Sequence, residues 1–270
     1  MNFQETTLED LDESNALEAM YRGGDAMVIH DCFDPKELAK FTEALTTSHA
    51  DRYHWDLQEK ANRPEVTQMR VLGRTLTPIV GHDFDLDAYA KIGEETAACI
   101  TRYLPGVFSQ LEAILQRLSG GRPVMRARAN GRDYGPATVR HLPVGCQIPV
   151  HCGLFFMESG GYREIMKSLD DMSQLSWFIP LQTASAGGEL LVYDLQWTDP
   201  DVPRSGQLYD PTAIESRPAV AVSPPAGSLL LFDGGRWFHK VSPVGGTQDR
   251  WTLGGFLGFK KDMLQIVYWS

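Results

Sequence analysis

The stretch S-L-L-L-F-D-G-G-R-W-F-H-K-V-S at 228–242 decides the fold. Ser228–Phe232 and Trp237–Val241 are runs of aliphatic and aromatic residues, too short for ordinary helices and suited to a pleated, half-buried surface. Asp233-Gly234-Gly235 between them is turn chemistry. The segment predicts two short strands and a tight connection. The same texture continues on both sides, at Ala137–Leu142, Ile148–Gly153, Leu175–Leu181, Glu189–Leu195, Ala219–Val222, Trp251–Phe259 and Gln265–Trp269. Many short strands separated by Gly, Pro and Asp predict a sandwich, jelly roll or barrel.

Upstream the pattern changes to helical spacing. Leu8, Leu11, Leu17 and Met20 predict a helix over Leu8–Tyr21, stopped by Gly23-Gly24. Asp34 is an N-cap and Pro35 a first helical residue, with Leu38, Phe41 and Leu45 on one face. Asp87–Tyr103 and Val107–Leu118 predict two further amphipathic helices, the second closed by Gly120-Gly121. Ala26–Ile29 is a short β-like run, a helix is expected between Met157 and Ser173, and Thr198–Arg217 reads as a long loop. The expected architecture is mainly β: one domain over 1–270, with a jelly-roll core (122–270) and a mainly helical N-terminal layer (1–121) packed on it.

Composition narrows the function. At 270 residues, with 43% hydrophobic and 22% charged residues, the chain is an ordinary globular protein. Its net charge of −10 disfavours binding to a nucleic-acid polymer. No apolar run reaches the ~18 residues of a membrane span. Met1–Ser14 lacks the order of a signal peptide. The four cysteines, Cys32, Cys99, Cys146 and Cys152, form no C-x-x-C pair and read as reduced thiols of a cytoplasmic protein.

Of seven histidines, His151 and His239 fall in expected core strands. His30, His49, His54 and His82 read as structural or exposed, and His141 as packing. If Ile148–Gly153 is a strand, residues 151 and 153 share a face and Cys152 points away. A two-histidine, one-carboxylate iron site would then place Asp or Glu at 153, yet residue 153 is glycine. Alone, H-x-G reads as an ordinary core histidine in a strand. Together with His239, and with Arg250 opening the otherwise apolar strand Thr252–Phe259, it points to a site.

The motifs now accumulate: P-A-T-V-R at 136–140, H-C-G at 151–153, Q-L-S-W-F-I-P-L at 174–181, A-G-G-E-L-L-V-Y at 186–193, L-L-L-F-D-G-G-R-W-F-H-K-V-S at 229–242, W-T-L-G-G-F-L-G-F at 251–259 and Y-W-S at 268–270. With these the C-terminal half resembles the Fe(II)/2-oxoglutarate-dependent oxygenases. Within them it is most similar to the freestanding aliphatic halogenases of hapalindole- and welwitindolinone-type indole-alkaloid pathways. The N-terminal part matches in general layout, through M-V-I-H-D-C-F-D-P at 27–35.

The resemblance implies a double-stranded β-helix with iron at its mouth. It implies His151 and His239 as iron ligands and Gly153 as a vacancy that chloride (or bromide) fills. Arg250 is implied as the partner of the distal carboxylate of 2-oxoglutarate, with Thr252, Arg140 and Thr138 beside that pocket. Ser176 is implied near the oxygen ligand of the iron, and equally reads as a backbone-bonded hydroxyl; Glu189 reads as a strand residue. The implied cofactors are Fe(II), 2-oxoglutarate, chloride or bromide, and O2. The implied reaction abstracts hydrogen from an unactivated aliphatic carbon and returns chlorine to it. The partner is then a freestanding small molecule, with no carrier protein.

R-P-V-M-R-A-R-A-N-G-R-D at 122–133 is unusually basic for so acidic a chain. Alternation puts Arg126 and Arg128 on one face, where they could grip an anionic substrate such as a nucleotide in place of an alkaloid. A charge-protected edge strand is the alternative. Two rivals to the halogenase remain. One is a hydroxylase of the same fold, with water or Glu158 completing the iron site. The other is a jelly-roll binding module without metal.

Overall fold

The computed structural model describes residues 1–47, 55–57, 69–76, 84–157, 161–170, 174–205 and 208–270. Among these, two facing sheets form the core. The larger has ten strands. Its order runs Phe3–Thr7, Ala26–His30, Leu229–Phe232, Leu175–Gln182, Arg250–Phe259, Thr138–Leu142, Arg70–Leu72, Trp55–Leu57. Ile266–Trp269 joins Arg250–Phe259 and carries Val124–Arg126 on its other side. The smaller has four strands, in the order Ala219–Val222, Leu190–Gln196, Trp237–Val241, Ile148–His151.

Period-2 alternation divides the large sheet into two chemistries. On strand Leu175–Gln182, Leu175, Trp177, Ile179 and Leu181 join the main core, while Ser176 and Phe178 face the small sheet. Strand Arg250–Phe259 repeats this, with Leu253 and Leu257 outward and Thr252, Gly254 and Phe256 inward. The outward face is covered by helices Pro35–Thr46, Leu86–Tyr103 and Val107–Leu118, which contribute Leu38, Phe41, Ile100, Leu111 and Leu115 to the same core. Asp34 caps its helix by accepting from the Lys36 amide at 2.8 Å, as its position in the sequence requires.

Several expectations are corrected. The Leu8–Tyr21 helix is reduced to Ala16–Tyr21. Phe3–Thr7 forms a strand parallel to Ala26–His30, and the Leu8 amide bonds the His30 carbonyl. The Thr7 hydroxyl and Asp10 then close a turn that leaves no room for helical bonding. The N-terminal layer therefore supplies edge strands as well as helices. The helix expected between Met157 and Ser173 is only Arg163–Met166 among the described residues. Within Thr198–Arg217, Arg204–Ser205 pairs with Leu208–Tyr209, and Asp210 caps the short helix Pro211–Glu215. Strand Ile148–His151 stops two residues before Gly153, which opens a 3-10 turn, Gly153–Phe156. His49, His54 and His82 lie outside the described residues. All four cysteines are buried, and no disulfide joins any of them among the described residues. No helix among the described residues is long and apolar enough to cross a membrane.

Candidate active site

Between the sheets lies an open cavity. His151 and His239 face each other across it as directly paired residues of neighbouring strands, with ring centroids 4.2 Å apart. Each ring is oriented by its own strand. His151 Nδ1 lies 2.8 Å from the Pro149 carbonyl, and His239 Nδ1 lies 2.9 Å from the Trp237 carbonyl. A carbonyl only accepts, so both Nδ1 atoms carry the proton and both Nε2 atoms carry the lone pair. Burial holds the His239 ring well below the usual histidine range, and the neighbouring His151 and Arg140 push the same way. Two imidazoles, each held by its Nδ1 contact so that Nε2 is left for a metal, are the donor set for a transition metal such as iron. Among the described residues, no group of three or more His, Cys, Asp or Glu converges to hold a metal. Glu158 lies outside them.

Gly153 lines the cavity beside the two histidines, reached by the 3-10 turn and not by strand alternation. Its amide bonds the Gly234 carbonyl at 2.8 Å, and the Leu154 amide bonds the Gly235 carbonyl at 2.9 Å. These two bonds dock the turn onto D-G-G-R. That turn is clamped in its own right, because Asp233 accepts from the Arg236 amide and pairs with its guanidinium. A Cβ on Gly235 would stand 2.6 Å from the Gln174 carbonyl, and one on Gly234 would strike the Ser176 hydroxyl. The two glycines are therefore close-approach residues that bring the histidine strand against the start of strand Leu175–Gln182.

Arg140 and Arg250 share the other end of the cavity. They sit on adjacent strands, Arg140 opposite Thr252. Neither is given a carboxylate partner by any described residue. Burial lowers both guanidiniums, Arg250 to about 10, and the charge of Arg140 adds to the effect on Arg250. A buried and a half-buried cation side by side are expensive unless an anion meets them. A dicarboxylate carries the two charges that balance them. Thr252 and Ser176 line the same cavity, 5% and 8% exposed. Thr138 is buried on the strand that carries Arg140.

Other expected residues fall elsewhere. Arg126 pairs with Glu94 at 2.9 Å and donates to the Tyr134 carbonyl; Arg128 is exposed and lies 3.5 Å from Asp133. Neither lines the cavity, and they belong to different sheets, because the Ala127 amide between them bonds the Tyr268 carbonyl. His141 stacks on Trp251 at 4.0 Å and bonds Asp249 at 2.9 Å, a packing role. Glu189 accepts from the Ser242 hydroxyl, which in turn accepts from the Glu189 amide. The cavity also includes Phe156, Tyr162, Gln174 and Phe256, which the sequence reading passed over. Counting by twos from Ser176 would have reached Gln174 and Phe178.

A family model for the carrier-protein-independent halogenase WelO5 matches residues 2–270. A curated relative, L-gamma-glutamyl-L-propargylglycine hydroxylase of Streptantibioticus cattleyicolor, is 34% identical over 152 residues. That match takes in 53% of this chain and spans only 56% of the relative's length. Among solved structures, the non-heme alpha-ketoglutarate-dependent carbocyclase SnoK from nogalamycin biosynthesis superimposes with TM-score 0.57 at 15% identity, covering 98% of this chain and 86% of that one. An N-substituted L-amino acid dioxygenase of Burkholderia ambifaria, in complex with alpha-ketoglutarate, gives 0.52 at 16%, covering 94% and 90%. At such identities the likeness establishes the jelly-roll fold of these oxygenases. By its family match over nearly every residue, the chain belongs to the carrier-protein-independent halogenase WelO5 family.

Proposed function

We propose that the chain replaces hydrogen by chlorine or bromine on an unactivated aliphatic carbon of a freestanding natural-product intermediate. One observation carries this reading. Gly153 stands beside two metal-ready histidines, where an oxygenase needs a carboxylate, and no described carboxylate takes its place. A glycine removes one ligand and one negative charge, and a halide restores both.

His151 and His239 are the protein ligands of Fe(II), each offering a neutral Nε2 whose direction its backbone carbonyl fixes. Arg250 and Arg140 bind 2-oxoglutarate by charge-assisted bonds, with Thr252 beside them. Bound Fe(II), with 2-oxoglutarate and O2, supplies the one-electron oxidation of the C–H bond. Ser176 presents a hydroxyl into the cavity from the opposite sheet, where it would donate a hydrogen bond beside the two histidines and so help to orient what binds there relative to the substrate carbon. Phe156, Phe232 and Phe256 exclude water from the substrate side and place an apolar portion of the substrate near the metal. Arg140 and Arg250, the cations of the described lining, are both engaged by the co-substrate. That leaves an uncharged reacting end as the better fit, and Arg126 and Arg128 add nothing toward an anionic one.

Hydroxylation by the same site is the second reading, favoured by the name of the curated relative. An anaerobic titration separates the two. With Fe(II) and 2-oxoglutarate bound, the halogenase reading expects a saturable shift of the charge-transfer band on adding chloride, and a different one with bromide. A band indifferent to both halides supports the hydroxylase.

A further inference from the structure

Gln174 has no role in the account so far. It immediately precedes strand Leu175–Gln182 and lines the cavity together with Ser176 and Phe178. The residue is 2% exposed, yet its Oε1 is buried without a hydrogen-bond partner, and no described residue bonds the amide. The orphaned oxygen is an acceptor, so the group of this side chain that can meet an anion is its Nε2–H.

The main chain of Gln174 is fixed. Its carbonyl accepts from the Gly235 amide at 2.9 Å, on the turn that docks Gly153. The side chain points at Gly153 itself. Nε2 lies 2.7 Å from the point where a Cβ on residue 153 would stand, and the side-chain carbonyl carbon lies 3.1 Å from it. The amide thus occupies the direction in which a metal-binding carboxylate at 153 would leave the backbone. An N–H donor there suits an anion that brings its own charge. It suits a carboxylate from 153 poorly, because the two would compete for one space.

We propose that Gln174 is the halide-positioning residue of this site: its Nε2–H donates to the halide held in the Gly153 vacancy. The idea rests on the halogenase reading above. Only binding is involved. No bond to carbon forms or breaks at this step. Gln174 also crowds position 153, together with the Gly235 Cα, which lies 3.0 Å from where a Cβ there would stand.

The test is the anaerobic chloride titration of the Fe(II)/2-oxoglutarate complex in wild type, Gln174→Leu and Gln174→Glu. Melting temperature and the iron and 2-oxoglutarate midpoints are measured in parallel. We expect those two midpoints to stay within about twofold of wild type. The chloride midpoint should rise at least tenfold in Gln174→Leu, about 1.4 kcal/mol. The saturable shift should vanish in Gln174→Glu, whose carboxylate repels the halide at nearly unchanged shape. A purely structural glutamine would move the melting temperature and leave the halide midpoint alone. Chloride midpoints within twofold of wild type in the folded variants overturn the proposal. Should Gln174→Leu not fold, the near-isosteric Gln174→Glu decides. If wild type itself shows no halide shift, the halogenase reading fails instead, and the two failures are told apart.

Discussion

His151 and His239 are opposite partners in one strand ladder, and each ring is fixed by the carbonyl two residues earlier in its own chain. No third protein ligand is at hand among the described residues, so each histidine is half of the protein's hold on iron. His239→Ala should therefore lose Fe(II) binding at near-stoichiometric protein, measured by equilibrium dialysis and iron analysis. Retained binding would mean that the second ligand is misassigned. Gly153→Asp is the complementary change. Its Cβ meets the Gln174 amide at 2.7 Å and the backbone Gly235 Cα at 3.0 Å, so the substitution is made together with Gln174→Ala, with Gln174→Ala alone as its reference. The double variant should bind Fe(II) and 2-oxoglutarate, show no halide shift and yield no chlorinated product by mass spectrometry. Chlorination at the wild-type level would contradict the vacancy. The histidines, Gly153 and the cavity arginines were legible because they stand inside dense motifs. Gln174 was not, because a glutamine carries no signal until its orphaned amide is seen against Gly153.

Strands position these residues, and the D-G-G-R turn binds the two sheets together at the site. Strand Arg250–Phe259 carries Arg250 and Thr252 inward, next to Arg140 on Thr138–Leu142. Truncating one partner of a buried charge pair costs roughly 2–5 kcal/mol. Arg250→Ala should weaken 2-oxoglutarate binding by about that much while leaving the Fe(II) midpoint unchanged, as read from the charge-transfer band. An unchanged co-substrate midpoint would place the distal carboxylate elsewhere. Strand periods were legible wherever both faces are buried. Helix Val107–Leu118 was legible to the residue because Gly120-Gly121 ends it. The first helix was misread because a parallel partner strand claimed the backbone of residues 3–8, a tertiary effect that local spacing does not contain. Gly153 lines the cavity with the two histidines, but not by the strand alternation that the sequence suggested. The strand ends at His151, and the docked 3-10 turn, not alternation, brings residue 153 there.

At the scale of the molecule, charge is distributed for stability more than for binding. Arg122, Arg126, Arg128 and Arg132 each pair with a carboxylate: Glu18, Glu94, Asp133 and Asp87. The basic run in an acidic chain thus ties helices Ala16–Tyr21 and Leu86–Tyr103, with the residues beside them, to the β core. The sequence showed the cluster but not its partners, which lie up to 104 residues away. Half-exposed pairs of this kind contribute about 0–1 kcal/mol. Arg126→Gln should lower stability by no more than that in chemical denaturation. It should leave the iron, 2-oxoglutarate and halide midpoints as they are. A tenfold loss of substrate affinity in this variant would restore the anionic-substrate expectation.

The central claim is that a halide, not a protein carboxylate, completes the metal site between the sheets. Crystals of the Fe(II)/2-oxoglutarate complex, grown anaerobically and soaked in bromide, test it with the anomalous signal of bromine. The account predicts a bromide bonded to the iron on the Gly153 side, within hydrogen-bonding reach of the Gln174 amide. A carboxylate oxygen from the chain at that position, Glu158 included, or a water that bromide does not displace, would contradict it.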